Sequence, residues 1–362
     1  MNRLRALAWS CSCALMIGGC ATRPEEKVVV QKVATFRPVE DETLAPERRR
    51  PEWEKTGRTV TVTTIPVSAP VFNLAYGGGG VWVIGRKFTK IDPDSNSVAA
   101  RFPEASACAV GVGDGSIWAI KYGWISHDLR RLDPATGEVV ARVPVPGVNH
   151  GIPYFKGGPT LGEGSVWFHA GGKVLRIDPK TNRVLAAIAT GGYVGIIAFG
   201  EGAVWVLAKA HLWPTSEGLL SRVDPSNNRL VETVHLGHGT FSIAVGEGAV
   251  WVAQDPAGSE NNLTGGKLLR IDPNSLRIVR AIPLFHTPTA IALAADSVWI
   301  GTSGAILRVD PGINQVVESV RVSSGCGLVF GAGALWSGAW AGYVHRIDIQ
   351  DFAAGKTPTA PE

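Results

Sequence analysis

The sequence predicts an all-β fold built from seven repeats, and three observations support this prediction. A small-residue turn, an aliphatic residue and a tryptophan recur at Trp82, Trp118, Trp167, Trp205, Trp251, Trp299 and Trp336. Asp-Pro pairs that follow a basic and an aliphatic residue begin at Asp92, Asp133, Asp178, Asp224, Asp272 and Asp310, with a degenerate seventh copy at Asp348. The tryptophans lie 36 to 49 residues apart, which is the period of a four-stranded blade and not of a helical repeat. The chain is therefore predicted to be a seven-bladed β-propeller.

Turn residues divide each repeat into four predicted strands, a to d. Glycines allow a tight hairpin between strands a and b, as in Gly162-Glu163-Gly164, and Asp-Pro begins the turn between strands c and d. The tryptophan of strand b is expected to pack between neighbouring blades. The seventh repeat lacks strand d, whereas residues 58 to 67 form a lone alternating strand. We therefore predict that this N-terminal strand joins the C-terminal blade and closes the ring, because closure removes two unpaired sheet edges.

The N-terminal residues predict export and lipid attachment. Residues 1 to 19 carry Arg3 and Arg5 and then an apolar stretch that is too short to span a bilayer. Ile17-Gly18-Gly19 before Cys20 resembles the lipobox of bacterial lipoproteins, and this resemblance implies lipidation of Cys20 after cleavage, with a plain cleaved signal peptide as the alternative. Ala21 stands where an aspartate would imply retention in the inner membrane. The expected location is the cell envelope, at the outer membrane, facing the periplasm or the cell surface.

The remaining domain boundaries follow from composition. Residues 20 to 57 are rich in charge and proline and are predicted to be a flexible tether. The propeller is expected over residues 58 to 350, and residues 351 to 362 are expected to be a disordered tail. Without Arg3 and Arg5 the net charge of +4 falls to +2, which gives no argument for nucleic acid. The basic residue two positions before each repeat aspartate predicts a structural ring of Arg and Asp, and the chain is expected to be a monomer.

The two faces of the predicted propeller differ in their loops. The a–b and c–d turns, which form the first face, are short and nearly identical. The b–c and d–a connections, which form the loop face, are irregular. Binding residues concentrate in variable loops on a rigid frame, so the loop face is the predicted ligand-binding side. Its candidate ligand-binding residues are His150, Tyr154, His169, His211, Trp213, Gln254 and Asp255.

His238 and His286 form the sharpest pair of candidates, because each lies thirteen residues before its repeat tryptophan. Equivalent positions in adjacent blades point to the same channel mouth, so these histidines are candidate catalytic residues and metal ligands. Exposed loops also tolerate histidine without any function. A metal would need three or four ligands. For Trp213, Trp124 and Trp340 the alternatives are a stacking platform for a ligand and a plug that packs the loop, and we predict the plug.

The repeat, for example Gly246-Glu247-Gly248-Ala249-Val250-Trp251 with Arg270-Ile271-Asp272-Pro273, resembles bacterial YVTN-type and streptogramin-lyase-like propellers over residues 58 to 350. The resemblance implies an elimination that opens a cyclic ester, with histidine and glutamate beside a magnesium ion. His238 or His286 would then act as general base. Gln254 and Thr302 stand where that pattern leads us to expect glutamate. Magnesium prefers oxygen ligands, so the resemblance leaves the carboxylate set incomplete.

Two functions follow from these observations. The first is a lipid-anchored envelope propeller that binds a small molecule or a protein partner through its histidine-rich loop face, with no cofactor required. The second is a lyase or lactone-opening enzyme that depends on Mg²⁺ or another divalent cation at the channel mouth. Fold alone does not choose between them.

Overall fold

The computed structural model describes residues 60–85, 87–102, 107–121, 128–145, 157–210, 217–255, 266–322, 324–325 and 327–352. These residues form 28 β-strands and one short 3-10 helix, Gln350–Phe352. The strands of the first half are β1 (Val62–Pro66), β2 (Val71–Gly77), β3 (Gly80–Gly85), β4 (Phe88–Asp92), β5 (Ser97–Phe102), β6 (Ala107–Gly113), β7 (Ser116–Lys121), β8 (Asp128–Leu132), β9 (Val139–Pro144), β10 (Thr160–Gly162), β11 (Ser165–Ala170), β12 (Lys173–Asp178), β13 (Arg183–Ala189) and β14 (Tyr193–Gly200). Those of the second half are β15 (Ala203–Lys209), β16 (Glu217–Asp224), β17 (Arg229–His238), β18 (Thr240–Gly246), β19 (Ala249–Gln254), β20 (Lys267–Ile271), β21 (Ile278–Pro283), β22 (Pro288–Ala294), β23 (Ser297–Thr302), β24 (Ile306–Asp310), β25 (Gln315–Val320), β26 (Leu328–Gly331), β27 (Ala334–Ala339) and β28 (Tyr343–Asp348).

The strands form seven antiparallel four-stranded sheets, which are the predicted blades. Blades 1 to 6 are each continuous in sequence, from β2–β5 to β22–β25. Blade 7 has the order β1-β28-β27-β26, so the N-terminal strand supplies its outer strand. Val62 pairs with Ile347 and Ile65 pairs with Val344. The seven-bladed propeller and its closure by an N-terminal strand are therefore confirmed.

Turn conformation explains why the strands begin and end where they do. Glu163 and Gly164 connect strands a and b of blade 3 with φ angles of 50° and 61°. Two consecutive positive φ angles are typical of the type I′ hairpin, whose twist matches that of the flanking strands. Glycine reaches this conformation without the steric cost that a side chain brings.

The repeat tryptophans form the contacts between blades. All seven are fully buried, and each packs against the following blade. Trp205 of blade 4, for instance, shares a core with Val250 and Val252 of blade 5. Six of the seven indole N–H groups donate to the carbonyl five residues earlier, at 2.9 to 3.1 Å, as Trp167 does to Gly162. The indole N–H of Trp118 has no partner among the described residues.

Ordered packing continues two residues beyond the predicted end of the propeller. Phe352 closes the 3-10 helix and is 4% exposed. Its ring meets Trp299 edge-on, with 5.0 Å between centroids. This contact places the end of the described chain against blade 6.

Candidate binding face

The first face is built from turns that satisfy their own polar groups. Asp133 Oδ1 accepts the backbone N–H groups of Ala135 and Thr136, at 2.7 and 2.9 Å. These bonds hold the pKa of the Asp133 carboxyl below its usual value, because they favour the charged form. The same acceptance of a backbone N–H two residues later recurs at Asp92, Asp178, Asp224, Asp272 and Asp310. The repeat aspartates therefore fix turns.

In four of the repeats the arginine before the Asp turn bonds to the next blade. Arg176 Nη1 of blade 3 donates to Pro225 O and Asn228 Oδ1 of blade 4, at 2.7 and 3.0 Å. Its Nε donates to Ser165 Oγ at 2.8 Å, and its guanidinium lies 5.1 Å from the Trp167 ring centroid. The corresponding bonds to a proline carbonyl and an asparagine side chain of the next blade are made by Arg131, Arg270 and Arg346.

These contacts fit the structural role predicted for the arginines, but their partners lie mainly in the next blade and not on the repeat aspartate. The register shift between Arg176 and Ile177 places its extra residue, Leu185, on β13, so Arg176 and Asp178 still point to the same face of β12. Arg346 does pair with its own Asp348, at 3.0 Å. At the four junctions named above, however, the arginine joins neighbouring blades.

The loop face carries most of the exposed aromatic side chains. Among the described residues six aromatic side chains are more than one-third exposed, and five of them lie at loop-face strand ends or connections: Phe72, Tyr193, Phe285, Trp340 and Tyr343. The sixth, Phe330, lies one residue before the end of β26, near the first face. The faces thus differ in surface chemistry as well as in loop length.

His238 lies where the chain leads into blade 5, and His286 occupies the equivalent place where the chain leads out of it. Thr240 pairs with Gln254 and Pro288 pairs with Thr302, so the register confirms that the two histidines correspond. His238 is exposed at the end of β17, and its carbonyl accepts Gln254 Nε2 at 2.8 Å. His286 is half-buried after β21, and its carbonyl accepts the N–H of Gly266 at 3.1 Å.

Gln254 and Asp255 anchor the segments that carry these histidines. Both are buried, at 3% and 2% exposed. Gln254 Nε2 also donates to Leu236 O at 2.8 Å, and the Asp255 N–H donates to Gly239 O. Asp255 Oδ2 accepts the hydroxyl of Thr287 at 2.9 Å. Through these contacts Gln254 and Asp255 hold the histidine segments in place, a role that their burial supports better than the direct ligand contact predicted from the sequence.

His169 is an interior residue, which removes the basis for its predicted contact with a ligand. It is 2% exposed, and its Nδ1 accepts the N–H of Gly195 at 3.0 Å. Burial lowers its pKa to about 4, because the charged imidazolium would lose its hydration. Its Nε2 lacks a partner among the described residues. The ring is therefore neutral at pH 7 and enclosed.

Other predicted residues fall outside the part of the chain that the structure describes. They are Cys20, Trp124, His150, Tyr154, His211 and Trp213. Trp340 is described, and the plug predicted for it is wrong, because 56% of the residue is exposed. Its turn contains only Trp340, Ala341 and Gly342 between β27 and β28, too short a segment to fold over an indole.

Two features of the loop face were missed by sequence reasoning. Phe72 is 45% exposed and lies ten residues before Trp82, the offset that Phe241 has from Trp251. That shared offset could have revealed it. Lys267 lies directly opposite Gln254, and burial lowers the pKa of its amine. No motif marked this lysine in the sequence.

The described residues do not fit a magnesium site. Among them, no group of three or more His, Cys, Asp or Glu side chains lies close enough to hold a metal ion. Asp255, which is hydrogen-bonded to the histidine segments through Gly239 and Thr287, is buried and accepts a hydrogen bond from Thr287. Because Mg²⁺ prefers several oxygen ligands, we derive no catalytic step through such an ion.

Comparisons with known proteins agree with the fold. Hydrazine synthase of Kuenenia stuttgartiensis is similar with a TM-score of 0.65 and 11% identity, covering 78% of this chain and 97% of that chain. BamB from Moraxella catarrhalis gives 0.56 and 12%, with 77% and 85% covered. The Pan2 WD40 domain of Neurospora crassa gives 0.59 and 10%, with 77% and 89% covered. No family model and no curated protein matches the sequence.

These similarities define the class of the protein, a seven-bladed β-propeller, and at such low identity they carry the fold alone. The YVTN or streptogramin-lyase type remains a resemblance in the repeat motif. In the described part of the chain, no helix is long and apolar enough to cross a membrane.

Proposed function

We propose that this protein is a lipid-anchored propeller of the bacterial cell envelope that binds a small molecule or a protein partner through its loop face. The anchor and the location rest on the lipobox-like Ile17-Gly18-Gly19-Cys20. The binding role rests on the difference between the two faces. Propellers serve as rigid frames, and their irregular connections carry recognition.

The strongest support for this proposal is the difference in surface chemistry between the two faces. On the first face the aspartates and arginines are engaged by turns and by the next blade, as Asp133 and Arg176 are. Of the six exposed aromatic residues in the described ranges, five lie on the loop face. Aromatic residues are enriched where proteins bind partners. The loop face is therefore the side from which a partner gains most by excluding water.

A position-specific photo-crosslinking experiment in the cells that produce the protein tests the proposal. A benzophenone amino acid replaces Tyr193 or His286 on the loop face, and Phe330 or Ile313 on the first face serves as the matched control. We expect a discrete adduct from the two loop-face positions that excess unlabelled protein competes away. Equal labelling from Ile313 and Phe330, or none from Tyr193 and His286, would contradict the proposal.

The lyase alternative has its own test. Calorimetry of the full-length chain with Mg²⁺, Mn²⁺ and Zn²⁺ is compared with a His238→Ala, His286→Ala double variant. Cation binding that the double variant loses would favour the enzyme. The absence of cation binding would leave the binding function and remove the lyase.

A further inference from the structure

The junction of blades 7 and 1 is built largely from two stretches of sequence without charged residues. Residues 59 to 85 and 322 to 345 contain no Asp, Glu, Lys or Arg. They supply β1, β26 and β27 of blade 7 and β2 and β3 of blade 1. Two such long uncharged stretches are unusual in a chain in which 18% of residues are charged, and exposed apolar patches mark interaction sites.

Two exposed rings lie at this junction. Phe72 of β2 and Trp340 of the b–c turn in blade 7 lie 5.8 Å apart between ring centroids, at 84° to each other. They are 45% and 56% exposed. The edge of one ring meets the face of the other, so the two rings form an open corner across the blade junction. We name Phe72 and Trp340 together the aromatic notch.

Glycine residues lie against the notch at positions where a side chain would collide with its neighbours. A Cβ at Gly325 would lie 2.5 Å from Trp340 Cδ1, so the indole rests directly on the main chain. Gly342 approaches Ala69 in the same way, with 2.9 Å from its ideal Cβ, and Gly342 O accepts the N–H of Val67 at 2.8 Å. These contacts fix the turn that presents Trp340, so the rings are held in place before any partner arrives.

We propose that the aromatic notch binds a proline-rich segment of a protein partner in the polyproline II conformation. This inference rests on the proposed function and names the chemistry of its partner. Proline rings are apolar and uncharged, which suits two exposed rings set in uncharged stretches of the chain, because a charged group placed against the rings would lose hydration. Polyproline II segments dock between aromatic side chains and lose little entropy on binding. Exposed Lys87 follows Gly85, which pairs with Val71, so an acidic residue beside the prolines would complement this lysine.

Calorimetry with acetyl-decaproline amide and the full-length protein in detergent tests the inference. The peptide is expected to bind, and Trp340→Ala or Phe72→Ala is expected to weaken binding by about tenfold or more, as removal of a central aromatic residue does. Phe330→Ala removes an aromatic residue of similar exposure from the other end of blade 7 and is expected to leave the affinity unchanged. Trp340→Phe keeps a ring on Gly325 and is expected to retain most of the affinity, which separates loss of the notch from misfolding.

Three results would overturn the inference. They are the absence of decaproline binding, equal loss of binding in Phe330→Ala, and equal binding of an uncharged (Ser-Ala)5 decapeptide. Chitohexaose or phosphatidylcholine vesicles that bind through Trp340 while decaproline does not would assign the notch to glycans or membranes instead. Failure of decaproline together with persistent crosslinks from Tyr193 and His286 would reject the inference and keep the proposed function.

Discussion

Replacement of Arg176 by methionine removes one of the arginine contacts that join neighbouring blades while keeping an apolar stem over Trp167. The variant loses the bonds to Pro225 O, Asn228 Oδ1 and Ser165 Oγ, at 2.7, 3.0 and 2.8 Å. Ser165 is 2% exposed, so its hydroxyl loses a partner that water cannot easily replace. A hydrogen bond to a charged group contributes about 1.5–3 kcal/mol and an exposed cation–π contact about 0.5–1 kcal/mol. Since water reaches part of the junction, we expect a total loss of about 3 kcal/mol.

Arg222 provides a control within the same chain. It lies 5.8 Å from the Trp205 ring centroid, at the position equivalent to Arg176. Leu276 occupies the turn position of blade 5 at which blade 4 has Asn228, and the buried Arg222 Nε has no partner among the described residues. Arg222→Met is therefore expected to cost about 1 kcal/mol or less.

Chemical denaturation of both full-length variants measures the difference. We expect a shift in midpoint that corresponds to roughly 2 kcal/mol more for Arg176→Met than for Arg222→Met, with an unchanged denaturant slope. Equal losses in the two variants would refute the reasoning, because they would show that the arginine stabilises through its tryptophan and not through the next blade.

Three further predictions concern the interior. His169 has a folded-state pKa of about 4, against 6.5 for an unperturbed histidine side chain, so its contribution to stability is complete above pH 6.5. As the pH falls towards 4 the unfolded chain binds the proton first, so the free energy of unfolding should drop by about 3 kcal/mol, measured by denaturation at each pH. This drop should be absent in His169→Gln, and a pH profile in that variant equal to the wild-type profile would contradict the prediction. Gly162→Ala places a Cβ 2.4 Å from the Phe199 ring, whereas the Cβ of Gly304→Ala meets nothing within 4 Å. Thermal melts should therefore show a loss of stability of about 1–3 kcal/mol in Gly162→Ala and none in Gly304→Ala. Ile65→Ala empties a buried site in β1 and should cost about 3 kcal/mol, and a neutral result would place β1 outside the core.

The repeats were predictable because each blade uses the same local chemistry. The buried tryptophan, the glycine hairpin and the Asp-Pro turn all act within one repeat, so their periodicity fixes the blades without knowledge of the ring. The missing strand in the seventh repeat likewise predicted the pairing of β1 with β28. His169 carried an overlooked signal, since the same offset of two residues after the tryptophan holds Ile84, Ile120 and Leu207, all of them buried.

Contacts between blades were harder to predict. Two partners of Arg176, Pro225 and Asn228, lie about 50 residues away in the next blade, and no periodicity within a single repeat points to them. The aromatic notch joins Phe72 to Trp340 across the two ends of the propeller domain, which only ring closure brings together. Exposure of Trp340 follows from the shortness of its turn, and this depends on where β27 and β28 end.

Closure of the ring is the claim on which the two faces and the notch depend. The most direct measurement is oxidation of a Thr64→Cys, His345→Cys variant of the full-length chain in which all five native cysteines are replaced by serine. Thr64 pairs with His345, and antiparallel partners lie within about 4.5–5.5 Å, inside the range that a disulfide spans. We predict rapid formation of a disulfide that changes mobility on a non-reducing gel, while Thr64→Cys with His235→Cys in blade 4 stays reduced. Two freely alkylated thiols in the first variant, or equal crosslinking in the second, would contradict the closed ring.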